Sequence, residues 1–155
     1  MEKNKNLVVN ICKVFFASYD HISFLPGKDQ FHKTILFPED RSWNEIYFTS
    51  GTAEFSEARK NNDQGDLLEQ TLKIIIPGED EENSNALFDL LHPLVLLMKL
   101  SNGLYKVFGS PDVPAKMIEN RTDGAKISNT EILFSCMAQE YAWITPPPDT
   151  GGLSD

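Results

Sequence analysis

Hydrophobic and polar residues alternate along several short segments of this chain, which is the pattern of β-strands that bury one face. The clearest alternation lies in residues 67–76, whose predicted buried face consists of Leu68, Gln70, Leu72, Ile74 and Ile76. Residues 52–58 alternate in the same way and predict a half-exposed antiparallel strand. Between them, the polar residues 60–65 predict a long, charged hairpin loop near 57–65 that projects beyond the body of the domain.

Further strands are predicted from short runs of apolar, β-branched and aromatic residues between turn residues. These runs are 7–16, 31–37, 43–48, 94–100, 104–108, 113–121, 131–137 and 140–145. The segments 94–100 and 104–108 flank Ser101-Asn102-Gly103, and Asn-Gly tolerates the positive φ angles of a tight hairpin turn. The segments 131–137 and 140–145 are predicted to form a last pair.

One segment has the spacing of a helix. Leu87, Leu90 and Leu91 recur at helical intervals within about 84–92, and Pro93 ends the run. Acidic residues fill positions 79–82, where they favour the positive end of the helix dipole. The predicted fold class is therefore α+β and mainly antiparallel β: a β-sandwich or barrel with one principal α-helix packed on it.

A chain of 155 residues fits one domain. We expect a single β-rich domain over residues 1–145, including the projecting hairpin loop. Residues 146–155 begin with three prolines and contain Gly151-Gly152, so they predict an extended, flexible C-terminal tail.

The net charge of −9, from 23 acidic and 14 basic residues, argues against a surface for nucleic acid or an anionic membrane. No apolar stretch approaches the roughly twenty residues that a transmembrane helix needs. The N-terminus lacks the pattern of a signal peptide, so synthesis in the cytoplasm is expected. Cys12 and Cys136 are expected to be reduced, because two distant cysteines form neither a disulfide framework nor a CxxC pair.

No residue set has the spacing that catalysis or ligand binding would require. His21, His32 and His92 do not pair at metal-ligand spacing, and the acidic run 79–82 lacks the spacing of a calcium loop. The glycines stand singly at turns and form no phosphate-binding loop. We therefore predict no catalytic, cofactor-binding or metal-ligating residue and no cofactor. His92 is interpreted as a residue that stabilises the C-terminus of the predicted helix.

The block 43–117 resembles a family of small proteins encoded in phages and prophages of Bacteroides-like bacteria. The residues that carry the resemblance are Ile46-Tyr47-Phe48-Thr49, Gly65-Asp66-Leu67-Leu68, Leu87-Phe88-Asp89-Leu90-Leu91, the strand 94–99, Ser101-Asn102-Gly103 and Val107-Phe108-Gly109-Ser110-Pro111. The segments Ile132-Leu133-Phe134 and Tyr141-Ala142-Trp143 resemble its closing strands.

This resemblance implies a virion structural protein: a tail-tube, tail-terminator or neck (connector) subunit that self-assembles into a ring. It implies other virion proteins as partners, no membrane, and DNA only as a passing neighbour that is not read by sequence. Two alternatives stay open. One is a non-catalytic adaptor that binds a peptide or protein as a monomer or dimer. The other is an enzyme, which would need a pocket with converging polar groups.

Overall fold

The structure is a computed structural model that describes residues 9–38, 41–62, 65–77, 92–123 and 128–148. Short segments rich in β-branched and aromatic residues form most of its strands, in line with their β propensity. The strands are β1 Ile11–Ser18, β2 Ser23–Pro26, β3 Lys33–Leu36, β4 Asn44–Ile46, β5 Glu54–Asn62, β6 Gly65–Pro77, β7 Leu94–Leu100, β8 Tyr105–Phe108, β9 Lys116–Asp123, β10 Ser128–Ala138 and β11 Trp143–Thr145. The only helix in these residues is a 3₁₀ turn, Tyr19–His21.

The strands form three antiparallel sheets. One has five strands in the order β11-β8-β7-β1-β4, one has four in the order β5-β6-β10-β9, and β2 and β3 form a separate hairpin. Every strand pair is antiparallel. The predicted class, mainly antiparallel β, is confirmed.

The five-stranded and four-stranded sheets face each other across a shared core, as in a sandwich. Its buried side chains come from both sheets and include Val14, Leu96, Met98 and Phe108 on one side and Leu72, Ile74, Ile132 and Phe134 on the other. The predicted buried face of β6 is confirmed, because Leu68, Gln70, Leu72, Ile74 and Ile76 are all buried. Burying each large aliphatic side chain contributes about 1.5–3 kcal/mol.

The opposite face of the five-stranded sheet packs against the β2–β3 hairpin. Phe15, Val95, Leu97 and Val107 form a second buried cluster there, together with Trp43. Phe24 of the hairpin meets Trp143 edge-to-face, with 5.5 Å between ring centroids. The hairpin therefore covers one face of this sheet.

The β7–β8 hairpin predicted at Asn102-Gly103 is confirmed, but its turn is not the two-residue type with two positive φ angles. Only Gly103 has a positive φ, of 91°. Leu100 N donates to Leu104 O at 2.9 Å, so the loop enclosed by this pair has three residues, 101–103. Within it, Gly103 N donates to Leu100 O at 3.0 Å, and Leu104 N donates to the Asn102 side-chain oxygen at 3.1 Å. A turn followed by one left-handed glycine is the usual solution for this loop length.

Three predictions differ from the structure. Residues 60–62 and 65 are strand rather than loop, since β5 and β6 stay paired up to Asn62 and Gly65. The segments 131–137 and 140–145 do not pair: β10 lies between β6 and β9, whereas β11 pairs with β8 in the other sheet. His92 is exposed and not helical, and the rest of the predicted helix 84–92 lies outside the described residues, as does the tail after residue 148.

Candidate assembly surfaces

The three histidines lie on different segments of the chain: His21 in the 3₁₀ turn, His32 before β3 and His92 before β7. His32 Nδ1 is 2.6 Å from Asp29 Oδ1, an oxygen that also accepts the Phe31 N–H at 2.9 Å. These hydrogen bonds lower the pKa of Asp29, that from His32 having the larger effect. In the described part of the chain, no group of three or more histidine, cysteine or acidic side chains is placed to hold a metal ion.

The two cysteines lie in opposite environments and both are free thiols: Cys12 is exposed and Cys136 is buried. The Cys136 thiol donates to Gln70 Oε1 at 3.1 Å. Burial raises the pKa of Cys136 to about 11. A buried protonated thiol is a poor nucleophile, so the position of Cys136 suits packing rather than catalysis.

A cluster of hydrogen-bonded polar residues, formed by Glu57, Gln70 and the segment 139–142, links the two large sheets. Glu57 Oε2 on β5 accepts from Gln70 Nε2 at 2.8 Å and from the backbone N–H of Ala142 at 2.7 Å. Gln70 is only 2% exposed and also donates to the carbonyl of Glu140 at 3.2 Å. Residues 139–142 join β10 of one sheet to β11 of the other, so this cluster fixes the crossover between the sheets.

A cation–π contact extends this cluster toward the surface. Arg59 lies over the Tyr141 ring, 5.8 Å from its centroid, and donates to the Tyr141 hydroxyl at 3.2 Å. Trp143 Nε1 donates to Glu140 Oε1 at 2.8 Å. The Arg59–Tyr141 contact therefore joins the β5–β6 hairpin to the segment between β10 and β11.

The four-stranded sheet has two long edges, β5 with nine residues and β9 with eight. Within the described residues, neither edge has a strand partner on its outer side. Because each strand is antiparallel to its neighbour and there are four, β5 and β9 run in opposite directions. Unpaired edges of this length are templates for pairing with another chain.

The outer face of the four-stranded sheet is charge-balanced rather than acidic. Its charged residues alternate with the buried ones and comprise Glu54, Glu69 and Glu131 against Lys60, Lys73 and Lys116. Two ion pairs cross it, each at 3.5 Å: Lys60 with Glu69, and Lys73 with Glu131. Ile118, 57% exposed, lies on this face beside Leu133.

The end of the β5–β6 hairpin and a groove lined by residues 10–13 and 45–53 lie at opposite ends of the sandwich. The pairing of β6 with β10 ends at Leu68. The last three residue pairs between β5 and β6 therefore extend past the end of β10 by about 10 Å. From Gly65, β6 runs ten residues to Ile75, whose carbonyl accepts the Thr49 N–H at 2.8 Å. That distance is about 33 Å at the usual rise of a strand. Thr49 lies within the segment 47–53, which forms one wall of the groove.

This groove forms where β4 stops following β1. The two strands pair only over Val14, Phe15 and Phe16, after which the chain leaves toward the other sheet. The gap has a volume of about 510 Å³ and lies between Asn10–Lys13 on one side and residues 45–53 on the other. Tyr47, 77% exposed, stands beside it.

A second groove, of about 440 Å³, separates β3 from the proline-rich segment after β11. Ile144 N donates to Phe31 O at 2.7 Å, which begins a parallel contact between these segments. Pro146 has no N–H, so the contact cannot continue as a ladder. The segments diverge beyond it and leave the groove between Thr34–Pro38 and Thr145–Pro148.

Comparison with protein-family models, curated proteins and solved structures found no match for this chain. In the described residues, no helix is long and apolar enough to cross a membrane. Sequence patterns indicated neither the Glu57 cluster nor the two grooves. The one signal was Gln70, a polar residue in the buried face of a predicted strand, which has to find hydrogen-bond partners.

Proposed function

We propose that this protein is a structural subunit of a phage virion, belonging to the tail tube, the tail terminator or the neck, and that copies assemble into a ring. The observation that carries the proposal is the four-stranded sheet with two long edges that run in opposite directions. Virion proteins are its expected partners, and the virion, after synthesis in the bacterial cytoplasm, its expected location.

The direction of the edges suits a ring. If neighbouring copies keep the same orientation around an axis, β9 of one copy lies beside β5 of the next, and the two strands are antiparallel. This is a head-to-tail contact between two different surfaces, which closes into a ring when the rotation permits. Closure would pair both edges of every copy and remove the unpaired backbone groups.

Bound DNA is not part of this proposal. The outer face of the sheet carries three acidic and three basic residues. Non-specific DNA binding requires clustered basic residues that neutralise phosphates. A face with balanced charge does not attract phosphates, which fits DNA that passes this surface without binding to it.

The test is the mass and shape of the purified protein. Native mass spectrometry and negative-stain imaging are expected to show closed rings, and proteomics of phage particles is expected to detect the chain. Ile118→Lys adds a charge in the centre of the β9 edge and is expected to abolish the rings. Val113→Lys changes a residue that is 42% exposed but outside the edge strands, so its rings are expected to persist. A protein that stays monomeric and is absent from particles would end this proposal.

An adaptor that binds an extended peptide is the second candidate, and the groove beside β3 favours it. The backbone groups of successive residues in a strand face opposite sides, so those of Lys33 and Ile35 face the same side as Phe31, away from β2 and toward the groove. An added peptide strand could pair there. Peptides selected from a display library would shift the backbone NMR signals of Lys33 and Ile35. Such shifts in a strictly monomeric protein would support the adaptor over the ring.

A further inference from the structure

The groove beside β3 follows an unpaired strand edge and ends at an aromatic pair. Residues 34–38, 41–43 and 145–148 line it, and Ile35 turns its backbone N–H and carbonyl away from β2 and toward it. Just after β3, Phe37 and Trp43 meet edge-to-face, with 5.2 Å between ring centroids. The volume of about 440 Å³ is in the range of ligand sites, and a lining that follows five consecutive residues suits an extended ligand.

The opposite wall of this groove leaves the β3 edge open. It consists of Thr145 and the three prolines 146–148. Because proline has no N–H, this wall cannot complete a hydrogen-bonded ladder along β3. A peptide strand inserted between the walls would supply the missing partner for the backbone of Ile35. Its side chains would alternate between the protein and solvent, so alternate positions would meet the apolar lining.

The lining of the groove is positively charged. Arg41 is the one charged residue among the described residues that line it. The backbone N–H of Arg41 donates to Pro38 O at 3.0 Å, which places this residue close to the end of β3. A guanidinium pairs with a carboxylate through charge-assisted hydrogen bonds, often two in parallel. The charge of the groove therefore favours an acidic partner.

We propose that the groove beside β3 binds an extended peptide with apolar side chains at alternate positions and an acidic side chain that pairs with Arg41. This inference rests on the peptide site proposed above as the second candidate function, and it adds the chemistry of the ligand. The occupant is a peptide strand because the groups that face the groove belong to a strand edge. It is acidic because the charge of the lining is positive.

Peptides selected from a display library test this chemistry. The enriched peptides are expected to share alternating apolar residues and one aspartate or glutamate at a fixed position. Replacing that acidic residue by its amide in a synthetic peptide is expected to weaken binding about tenfold, measured by calorimetry, because one charge-assisted pair is lost. Methylating the backbone nitrogens that face β3 is expected to abolish binding, whereas methylating the intervening nitrogens is expected to preserve it.

Charge reversal on the protein is the complementary measurement. Arg41→Glu is expected to lose the acidic peptide and to bind the same peptide with lysine at the acidic position. Lys28→Glu makes the same change of net charge at an exposed residue outside the groove lining, so its preference is expected to stay acidic. The amide peptide tests the same pair on the unchanged protein, so the result does not depend on the folding of Arg41→Glu.

Two outcomes separate this inference from the peptide site itself. Selected peptides that bind beside β3 but tolerate the amide or lysine at every position would overturn the acidic preference and leave the peptide site. A selection that yields no peptide able to shift the backbone NMR signals of Lys33 and Ile35 would overturn both.

Discussion

At the scale of single residues, Glu57 holds more of the fold together than its position on an edge strand suggests. Its Oε2 accepts two hydrogen bonds, from the side chain of Gln70 and from the backbone of Ala142. Hydrogen bonds to a charged acceptor are stronger than neutral ones. Removing the carboxylate leaves the Ala142 N–H without its acceptor and takes one of two acceptors from the Gln70 amide.

Glu57→Ala is therefore expected to lower the free energy of unfolding by about 2 kcal/mol, the usual cost of leaving buried donors unsatisfied. Urea denaturation monitored by tryptophan fluorescence measures it. Glu54→Ala, at an exposed position on the same strand, is the matched control and is expected to cost less than about 0.5 kcal/mol. Equal losses in the two variants would show that the Glu57 hydrogen bonds add little.

The two thiols are expected to differ in reactivity. Because burial raises the pKa of Cys136 to about 11, this thiol stays protonated at pH 8 and is also shielded from reagents. Alkylation of the native protein at pH 8 is expected to modify Cys12 alone, and alkylation in denaturant to modify both, as measured by intact mass. Cys12→Ser is expected to remain unmodified when folded. Modification of Cys136 at the rate of Cys12 would contradict its burial.

At the scale of elements, one glycine governs how closely β7 approaches Ala115, the residue just before β9. Leu94 and Ala115 exchange two backbone hydrogen bonds, of 2.9 and 2.8 Å. Gly109 lies against this bridge with a φ of 78°, and a Cβ there would stand 2.9 Å from Leu94 O and 3.1 Å from Ala115 N. A side chain at position 109 therefore meets both an unfavourable backbone conformation and a backbone clash.

Gly109→Ala is expected to cost more than about 2 kcal/mol, because the left-handed conformation alone costs an alanine about 1–2 kcal/mol. Gly51→Ala is the control: its φ is also positive, at 83°, but no atom lies within 4 Å of the added Cβ. Its cost is expected to be about 1 kcal/mol. Thermal denaturation of both variants separates the cost of the clash from the cost of the left-handed backbone conformation. Similar losses of stability in the two variants would mean that the Leu94–Ala115 bridge shifts at little cost.

The same elements show what the sequence predicts and what it does not. The alternation in β6 predicts its buried face because that face depends only on the residues of β6 itself. Pairing partners depend on distant segments, so 131–137 and 140–145 are neighbours in sequence but belong to different sheets. Residues 60–62 have the composition of a loop, yet pairing with 65–67 keeps them in a strand. The groove between residues 10–13 and 45–53 exists because the short strand β4 ends at Ile46. Where a strand ends is difficult to predict from the neighbouring residues alone.

At the scale of the whole molecule, the negative charge is unevenly distributed. The described residues contain 12 acidic and 11 basic residues, so they account for only −1 of the net charge of −9. Residues 78–91 alone contain five acidic residues and no basic one. The folded sheets are thus nearly neutral, and repulsion between copies comes mainly from other segments of the chain.

This distribution predicts how salt affects assembly. Copies that carry −9 repel each other at low salt, and the Debye length falls from about 30 Å at 0.01 M to about 3 Å at 1 M. Assembly, measured by light scattering, is therefore expected at lower protein concentration in 0.5 M than in 0.02 M sodium chloride. The proposed edge-to-edge contact would use backbone hydrogen bonds, which do not depend on the net charge of the copies. Neutralising residues 79–82 with Gln and Asn changes the charge from −9 to −5 and is expected to reduce this salt dependence. Lys3→Gln with Lys5→Gln changes it to −11 and is expected to increase it. Assembly that weakens as salt rises would show instead that ion pairs between copies hold the interface.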